Sequence, residues 1–303
     1  MINGIINIYK EPGYTSHDVV AKLRRILSFK HIGHTGTLDP MASGVLPVCI
    51  GSATKLCDLE TEKTKVYEAV ILFGTATDTE DVTGNVILTM PVNCNKDDLV
   101  SKFSLFIGDI MQKPPMYSAI KVSGKKLYEI ARSGKTIDVP LRPVTIKNLE
   151  LMDYVSNEDG TLREARIRIT CGKGTYIRSL CRDLGETLGT CACMKELVRT
   201  KTGRFEISDA VTLKQIQEAF DNNKLHEYIL PIDGYFSDYP EFITAPECDY
   251  LLHNGNELGD SDITLKSKGE CYRAYDSLKK FYGIYYFDNR KQKYKPQKMF
   301  IEM

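Results

Sequence analysis

Long apolar runs are absent from this sequence of 303 residues, which nowhere has about 18 consecutive apolar residues. Residues 1–10 also lack a basic segment followed by a long apolar one, as an export signal would need. Both absences count against membrane insertion and export. Nine cysteines are present, but the closest pair, Cys191 and Cys193, lacks the two-residue spacer of a zinc or redox motif. The cysteines therefore predict reduced, buried thiols in a cytoplasmic protein.

Net charge is absent too, because 40 Lys and Arg residues balance 40 Asp and Glu residues. With 42% hydrophobic and 26% charged residues, the composition is that of an ordinary globular protein, and the length predicts about two domains. The charges are segregated, however. Residues 119–147, 163–204 and 279–298 are basic, whereas residues 233–262 hold eight acidic side chains and neither Lys nor Arg. This pattern favours a polyanionic partner such as nucleic acid, with solvated charge runs as the alternative.

Strands and helices follow one another without regular alternation. Period-two spacing of apolar residues predicts strands over residues 5–9, 65–73 and 163–171. Helical spacing predicts helices over residues 95–106 and 213–220, one capped by Ser16 and one that begins after Gly174. The polar side chains of residues 163–171 predict one wet, basic face of a sheet. The irregular order favours an α+β fold over a doubly wound parallel sheet.

The composition changes near Leu230, where the acidic segment begins. Beyond it, short strand-like runs surround residues 271–275 and 283–287. The sequence therefore predicts a first domain over residues 1–235 and a small β-rich domain over residues 240–303.

The densest motif is Gly33-His34-Thr35-Gly36-Thr37-Leu38-Asp39-Pro40, which continues to Pro47. Two glycines and a proline in eight residues exclude a long helix or a central strand, so the motif predicts a loop that carries His34 and Asp39. No Ser or Cys of a hydrolase motif and no second His at metal-ligand spacing stands nearby. On spacing alone, an Asp that caps a turn and a His with a local hydrogen bond remain open.

Four segments, in order, resemble the motifs of the TruB-type tRNA pseudouridine synthases. They are residues 33–47, residues 65–68 with 74–81, residues 113–119 (Lys-Pro-Pro-Met-Tyr-Ser-Ala) and residues 172–178 (Gly-Lys-Gly-Thr-Tyr-Ile-Arg). The resemblance covers about residues 1–230. Any one segment alone is a weak signal, whereas four in the same order are not a chance agreement.

The resemblance implies the pseudouridine synthase fold, a mixed, mostly antiparallel sheet with flanking helices. It also implies isomerisation of uridine 55 in the T-arm loop of tRNA, in which the bond from N1 to C1′ breaks and C5 is joined to C1′. No atom is lost and no redox change occurs. We therefore expect neither a cofactor nor a metal, in agreement with a sequence that has no nucleotide-binding fingerprint.

The same resemblance assigns three catalytic residues. Asp39 matches the essential carboxylate, which stabilises positive character at C1′ or attacks a carbon atom. Attack at C1′, addition to C6 and removal of the C2′ proton to give a glycal all remain open. Arg178 matches the guanidinium partner of this carboxylate, and Tyr67 matches the tyrosine that stacks on the target base and helps to exchange the C5 proton.

Substrate contacts are implied for a further set of residues. His34 matches the side chain that fills the space left by the flipped nucleotide, and Tyr176 and Leu197 match residues of the uracil pocket. The segment around Leu197 is interpreted as helical, so Leu197 is expected on a helix. The candidates for phosphate contacts are Lys10, Lys121, Lys125, Lys126 and Arg142.

The C-terminal domain is similar to the PUA-like RNA-binding domain of bacterial relatives, through Tyr272 to Asp276 and the basic run that follows. Two features depart from the family pattern: the acidic segment before this domain, which would repel phosphate, and Gly172, where a small polar residue is expected. We expect a monomeric, cytoplasmic enzyme that acts on tRNA without a membrane or an obligatory protein partner. The alternative is a noncatalytic RNA-binding or RNA-folding protein whose pocket only grips the T-arm.

Overall fold

β-Strands form most of the regular structure. The computed structural model describes residues 2–122, 124–134, 137–265 and 269–301. Within these ranges the strands are β1 (Gly4–Lys10), β2 (Ile32–His34), β3 (Ser43–Ile50), β4 (Lys65–Phe73), β5 (Thr75–Thr77), β6 (Val86–Thr89), β7 (Gly108–Gln112), β8 (Lys121–Val122), β9 (Lys125–Lys126), β10 (Arg142–Ser156), β11 (Leu162–Cys171), β12 (Ala192–Thr202), β13 (Phe205–Glu206), β14 (Glu241–Thr244), β15 (Ile263–Leu265), β16 (Cys271–Tyr275), β17 (Phe281–Asp288) and β18 (Lys293–Met299). The α-helices are α1 (Ser16–Ile26), α2 (Cys57–Thr61), α3 (Lys96–Lys102), α4 (Leu127–Arg132), α5 (Ile177–Thr187), α6 (Leu213–Asp221), α7 (Ile232–Tyr235) and α8 (Asp249–His253).

The main sheet has the order β1-β3-β12-β4-β11-β10-β7, with β2 attached to β3 and β13 attached to β12. Every pair in it is antiparallel except β12 with β3. The parallel pair brings the strand after the glycine-rich motif beside the strand that carries Leu197 and Arg199. This arrangement confirms the α+β prediction with a mixed, mostly antiparallel sheet.

Two apolar clusters pack helices against the main sheet. In the larger one, α5 buries Ile177, Leu180, Cys181 and Leu184 against alternate residues of β4 and β11. Each fully buried Leu or Ile contributes roughly 1.5–3 kcal/mol to stability. A second cluster packs α1 and α6 against β1 and β3. Because α5 is fixed to the sheet by this burial, the residues at its N-terminus have a defined position.

Three local predictions differ from the structure. Helix α1 is capped by Thr15, which forms a capping box with Asp18, and Ser16 lies inside the helix. The glycine-rich motif is a loop only in part, because its continuation from Ser43 onward forms the buried strand β3. Leu197 lies on strand β12 and not on a helix.

The outward face of β11 was expected to be basic, and this expectation is wrong. Arg166 pairs with Glu196 at 3.3 Å, and Arg168 pairs with Glu68 at 3.1 Å and with Glu150 at 3.8 Å. The acidic partners come from the neighbouring strands β12, β4 and β10. The face is therefore wet but close to neutral.

The C-terminal region forms a second sheet with the order β15-β14-β16-β17-β18. It packs against the first sheet through an apolar cluster in which Ile284 and Phe300 meet Ile5, Val45 and Phe236. The β-rich character of this region agrees with the sequence. Because that cluster runs continuously from one sheet to the other, the division at residues 235–240 into two units stays a prediction.

The cysteines are free thiols, and most of them are buried. None of the nine cysteines forms a disulfide, and six of them are buried. Cys57, Cys248 and Cys271 are partly exposed. In the part of the chain that the structure describes, no helix has the length and apolarity that a bilayer crossing demands.

Candidate functional site

A cavity of about 660 Å³ opens beside the ends of β4 and β12. Its walls come from the loop after β2, the turn after β5, the segment before β8 and the segment that leads into α5. The lining residues used below are Gly36, Asp39, Tyr67, Asp81, Tyr176, Arg178, Leu197 and Arg199. Most of the predicted site residues therefore meet in one place, although they are far apart in the sequence.

Asp39 and Arg178 form an ion pair in this cavity. Nη2 of Arg178 donates to Oδ1 of Asp39 at 3.0 Å, and Nε lies 2.9 Å from Oδ2. Only the first contact has the alignment of a hydrogen bond; the second is a close charge contact. The Arg178 side chain is 5% exposed and that of Asp39 is 32% exposed, so the carboxylate projects from a buried guanidinium toward the open cavity.

The backbone on both sides of Asp39 is tied to the start of the chain. Oγ of Ser16 accepts a hydrogen bond from the Leu38 backbone N–H at 2.9 Å. The carbonyl oxygen of Pro40 accepts from Nζ of Lys10 at 3.2 Å and from the Gly13 backbone N–H at 2.9 Å. These bonds hold the loop at the N-terminus of α1, so the carboxylate enters the cavity from a fixed backbone.

The guanidinium of Arg178 has further partners. Its Nη1 donates to the Thr79 carbonyl at 2.9 Å, and its Nη2 donates to the Tyr117 carbonyl at 3.0 Å. Oδ2 of Asp81 lies 3.7 Å from Nη1. Arg178 therefore joins three segments that are distant in sequence, and its own direction is fixed from several sides. Asp81 was not singled out from the sequence.

Tyr67 lies on β4 directly opposite Arg199 of β12. It is buried, and both side chains line the cavity. Burial raises the pKa of Tyr67, and the positive charge of Arg199 opposes this rise. Sequence reasoning missed Arg199, because an arginine that is 1% exposed is the exception on a strand and β12 had not been recognised as one.

Tyr176 and Leu197 close the cavity on two sides. The side chain of Gln112 fixes the backbone of Tyr176, because Oε1 accepts from its N–H at 2.9 Å and Nε2 donates to its carbonyl at 3.0 Å. Burial raises the pKa of the Tyr176 phenol. Leu197 stands opposite Ala69, and it is 6% exposed.

His34 lies at the end of β2 and is not among the residues that line the cavity. Its Nδ1 accepts a hydrogen bond from the Gly36 backbone N–H at 3.3 Å. Burial and the nearby charge of Arg199 lower the pKa of His34, which favours the neutral imidazole. The ring thus lies beside the loop that carries Asp39, two residues before Gly36 of the cavity wall.

Two of the five predicted phosphate contacts, Lys10 and Lys121, have opposite surroundings. Lys10 is fully buried, and its Nζ donates to the carbonyls of Glu11, Tyr14 and Pro40. Burial lowers the pKa of Lys10 to about 8. A phosphate contact by Lys10 is therefore wrong; the residue holds the loop of Asp39 from behind. Lys121 is exposed on the β8–β9 hairpin and does not line the cavity.

Over the described ranges, no group of three or more His, Cys, Asp or Glu side chains is arranged to hold a metal ion. What the cavity offers is an ion-paired carboxylate, two tyrosine rings and buried cations. Such a set can bind a planar polar ring and stabilise positive charge beside Asp39.

Comparison with known proteins agrees with this geometry. Residues 24–177 match the TruB family pseudouridylate synthase (N terminal domain), and residues 178–237 match the tRNA pseudouridylate synthase B C-terminal domain. The chain is 47% identical over 307 residues to a tRNA pseudouridine synthase B of Lachnoclostridium phytofermentans, covering 99% of this chain and 100% of the relative. It is 42% identical over 308 residues to the Staphylococcus aureus (strain Newman) protein of that name, with the same coverage of both chains.

Solved structures share the fold at lower identity. One described as the crystal structure of a Cbf5-Nop10-Gar1 complex has a TM-score of 0.69 and 24% identity, covering 99% of this chain and 85% of that chain. Another, an H/ACA RNP bound to a substrate RNA containing 2′-deoxyuridine, has a TM-score of 0.69 and 23% identity, covering 98% and 85%. The chain belongs to the TruB family of pseudouridylate synthases, and by that membership it is an isomerase.

Proposed function

We propose that this protein isomerises uridine 55 in the T-arm loop of tRNA to pseudouridine, with Asp39 as the essential carboxylate. The observation that supports this most strongly is the placement of the Asp39 carboxylate at the open cavity, paired with the buried guanidinium of Arg178. The relatives with 42–47% identity are named tRNA pseudouridine synthase B. The cavity volume of about 660 Å³ is typical of sites that enclose a small ligand or a nucleotide.

The chemistry requires a negative charge beside the sugar. Breaking the bond from N1 to C1′ builds positive character at C1′, and an adjacent carboxylate stabilises it or forms a bond to it. Asp39 has this role, and Arg178 fixes the direction of its two oxygens. Because uracil stays bound and rejoins through C5, no second carboxylate is needed to activate water. Attack at C1′, addition to C6 and the glycal route all use a carboxylate in this position.

The target base has to leave its stack before it can enter the cavity. Flipping costs on the order of a few kcal/mol, and planar side chains recover part of this cost. Tyr67 and Tyr176 line the cavity and supply planar faces for the uracil ring. The neutral imidazole of His34 lies beside the loop of Asp39, where it can stack in the space that the nucleotide vacates.

Phosphate contacts are assigned to exposed cations around the cavity and in the C-terminal region. Lys121 and Lys125 are exposed on the segment between β7 and β10, and Arg142 is exposed at the first position of β10. The C-terminal sheet, which lies beyond both matched family models, is proposed to act as a PUA-like RNA-binding domain. We further propose that the protein acts in the cytoplasm as a monomer without a protein partner.

The test is to incubate the purified protein with unmodified tRNA and to map pseudouridine chemically. A single modified position in the T-loop supports the proposal. Modification only at other positions refutes the assignment to uridine 55, and tight binding without any pseudouridine favours the noncatalytic alternative. Light scattering during size-exclusion chromatography of the active fraction tests the monomer, and an active peak at twice the mass of 34.2 kDa would contradict it.

A further inference from the structure

Helix α5 carries a second arginine, Arg182, one turn beyond Arg178. Its side chain is 21% exposed, and it is not among the residues that line the cavity. The same holds for its partner Glu80, which is 13% exposed and lies in the turn after β5. A largely buried ion pair of this kind is costly to form unless its geometry is good and further hydrogen bonds satisfy both groups. The contacts of the two residues meet this requirement.

The turn after β5 is attached to α5 at three points. The Thr79 carbonyl accepts from Nη1 of Arg178 at 2.9 Å. The carboxylate of the next residue, Glu80, accepts from Oγ of Ser179 at 2.7 Å and from Nη1 of Arg182. Glu80 also has a φ of 62°, in the left-handed region that residues with a Cβ rarely adopt. The contacts with α5 hold the turn in this uncommon conformation, which presents the Thr79 carbonyl to Arg178.

The segment before β8 is attached to the same two arginines. The Tyr117 carbonyl accepts from Nη2 of Arg178 at 3.0 Å, and the Lys113 carbonyl accepts from Nη2 of Arg182 at 3.2 Å. Arg182 is itself oriented by Asp183, whose Oδ1 accepts from Nε at 2.9 Å. The two carbonyls are four residues apart in the sequence, as are the two arginines. A shift of this segment at Lys113 would therefore displace the Tyr117 carbonyl that directs Arg178.

Glu80 differs in its surroundings from the other carboxylates near Arg182. Burial raises the pKa of Glu80, and the charge of Arg182 and the hydrogen bond from Ser179 oppose this rise. By contrast, Glu186 lies 3.9 Å from Arg182 and is 65% exposed. Exposed pairs contribute little to stability, whereas a buried pair is weakly screened by salt. Glu80 is therefore the carboxylate that can fix Arg182 against another segment of the chain.

We propose that Glu80 and Arg182 form a positioning pair, which holds the two backbone carbonyls that direct Arg178 toward Asp39. This role rests on the proposed function. Neither residue lines the cavity, so the pair acts through Arg178 rather than on the substrate. A displacement of about 1 Å at a reacting group can cost a large factor in rate, whereas RNA affinity depends mainly on phosphate contacts. Loss of the pair should therefore slow the reaction of bound RNA without weakening its binding.

The experiment uses Glu80→Gln in the full-length protein and an unmodified T-arm stem-loop. Glutamine keeps the shape of the side chain and can accept from Ser179, but it offers no charge to Arg182. Single-turnover rates at saturating protein and a binding titration measure the conversion of bound RNA and its affinity separately. We expect the rate to fall by about fivefold or more and the affinity to stay within about threefold.

Two comparisons separate positioning from a general structural role. Glu186→Gln is the matched control, because it removes an exposed carboxylate from the same arginine, and it should leave rate and affinity unchanged. Arg178→Lys and the double variant with Glu80→Gln should have rates within about twofold of each other, because the pair then has no guanidinium to direct. An unchanged rate in folded Glu80→Gln, or losses that multiply in the double variant, would overturn the proposal.

A second variant, Arg182→Lys, covers loss of folding or of measurable activity. Lysine keeps the charge opposite Glu80 but cannot also hold Asp183 and the Lys113 carbonyl. If thermal unfolding shows that Glu80→Gln is not folded, Arg182→Lys must show the same loss of rate at unchanged affinity, and full activity would overturn the proposal. If Arg178→Lys has no measurable rate, Arg182→Lys replaces it in the double variant, and the two losses should again not multiply.

The proposed function has a separate readout in the same experiment. If the wild-type protein makes no pseudouridine in the stem-loop, the proposed function itself is refuted. If the wild type is active and Glu80→Gln is equally active, the positioning pair alone is refuted.

Discussion

Two carboxylates approach the guanidinium of Arg178, and their surroundings give them different tasks. Oδ1 of Asp81 accepts hydrogen bonds from the Thr79 hydroxyl at 2.9 Å and from the Thr83 backbone N–H at 3.0 Å. Asp81 is therefore occupied in shaping the turn after β5. Within the described ranges, the hydrogen bond to the carboxylate of Asp39 comes from Arg178, so the carboxylate oxygens keep lone pairs for a substrate. This difference favours Asp39 over Asp81 as the reacting carboxylate of the proposed function.

Substitution of Asp39 tests this assignment directly. Asp39→Asn and Asp39→Ala should abolish pseudouridine formation, because neither side chain can neutralise positive character at C1′. Affinity for unmodified tRNA should stay within about tenfold, or about 1.4 kcal/mol, because phosphate contacts dominate it. The measurements are chemical mapping of pseudouridine and a filter-binding titration. Asp58→Asn, at an exposed carboxylate on α2, is the control, and full turnover by the Ala variant would refute the role.

Glu60 is a second buried carboxylate, and it is not among the residues that line the cavity. It is fully buried; Oε2 accepts from the Tyr235 hydroxyl at 2.6 Å, and Oε1 has no partner. Burial raises the pKa of Glu60 above its ordinary value of 4.5. The folded protein therefore keeps the Glu60 proton to higher pH than the unfolded chain does. Its contribution to stability is present below pH 4.5 and is lost as the pH rises through the folded-state pKa.

Glu60→Gln removes this titration while it keeps the shape of the side chain. The variant should have a higher free energy of unfolding than the wild type at pH 8, and the difference should shrink as the pH falls toward 5. Urea unfolding at several pH values between 5 and 8 measures this. Glu158→Gln, in an exposed turn, should show no such trend. A difference that grows toward acid would contradict the sign.

At the scale of elements, the N-terminus of α1 has two hydroxyl residues with separate functions. Thr15 caps the helix, because its Oγ1 accepts from the Asp18 backbone N–H at 3.0 Å. Ser16, the predicted cap, instead accepts from the Leu38 backbone N–H next to Asp39. A sequence pattern detects that a hydroxyl starts a helix, but it does not tell which of two neighbours does so.

This division of work predicts different results for two similar substitutions. Thr15→Ala should lower stability by about 1 kcal/mol and leave the reaction unchanged, because only the cap is lost. Ser16→Ala should cost about 1–3 kcal/mol and also slow the reaction, because the buried Leu38 N–H is left without a partner and the loop of Asp39 is loosened. Urea unfolding and single-turnover rates distinguish the two, and equal rates for both variants would contradict the assignment.

Regular elements could be predicted from the sequence, and irregular ones could not. β4 and β11 alternate cleanly, so both were predicted close to their observed bounds. β12 was missed because its pairing with β4 has register shifts between Met194 and Glu196 and between Arg199 and Lys201, which break the period of two. With β12 unrecognised, neither the strand position of Leu197 nor the burial of Arg199 could be deduced.

The site was predictable where motifs carry it. Asp39 and Arg178 follow from the resemblance, and the structure pairs them. The burial of Lys10 was not predicted because its partners are backbone carbonyls. Every residue has a backbone carbonyl, so no residue type in the sequence indicates such a partner. The hydrogen bond between Ser16 and the loop of Asp39 depends in the same way on tertiary structure.

In the whole molecule, the acidic segment of residues 233–262 repels phosphate less than its composition indicates. Asp249 accepts hydrogen bonds from Ser277 and Thr244, and Oδ2 of Asp262 accepts from the Gly259 backbone N–H at 2.7 Å. Glu257 pairs with Lys291 at 3.1 Å. Many of these carboxylates are thus used within the C-terminal region, and the net charge of a segment overstates the field that a phosphate meets.

The same reasoning ranks the basic residues by their expected effect on RNA binding. Lys121 and Lys125 are exposed on the β8–β9 hairpin, whereas Arg168 is paired with Glu68 and Glu150. Binding of unmodified tRNA should weaken steeply with salt, because association releases counterions from phosphates. Lys121→Gln and Lys125→Gln should each reduce the slope of log Kd against log salt concentration by about 1, because each removes one phosphate contact.

Arg168→Gln is the matched control for this series, since it removes one positive charge from the same molecule. It should leave the salt slope unchanged, because its charge is already balanced by two carboxylates from neighbouring strands. Titrations at four or more salt concentrations measure all three variants. An equal reduction by Arg168→Gln would mean that total charge, rather than the exposed hairpin, governs binding. Salt-independent binding by the wild type would contradict phosphate contacts altogether.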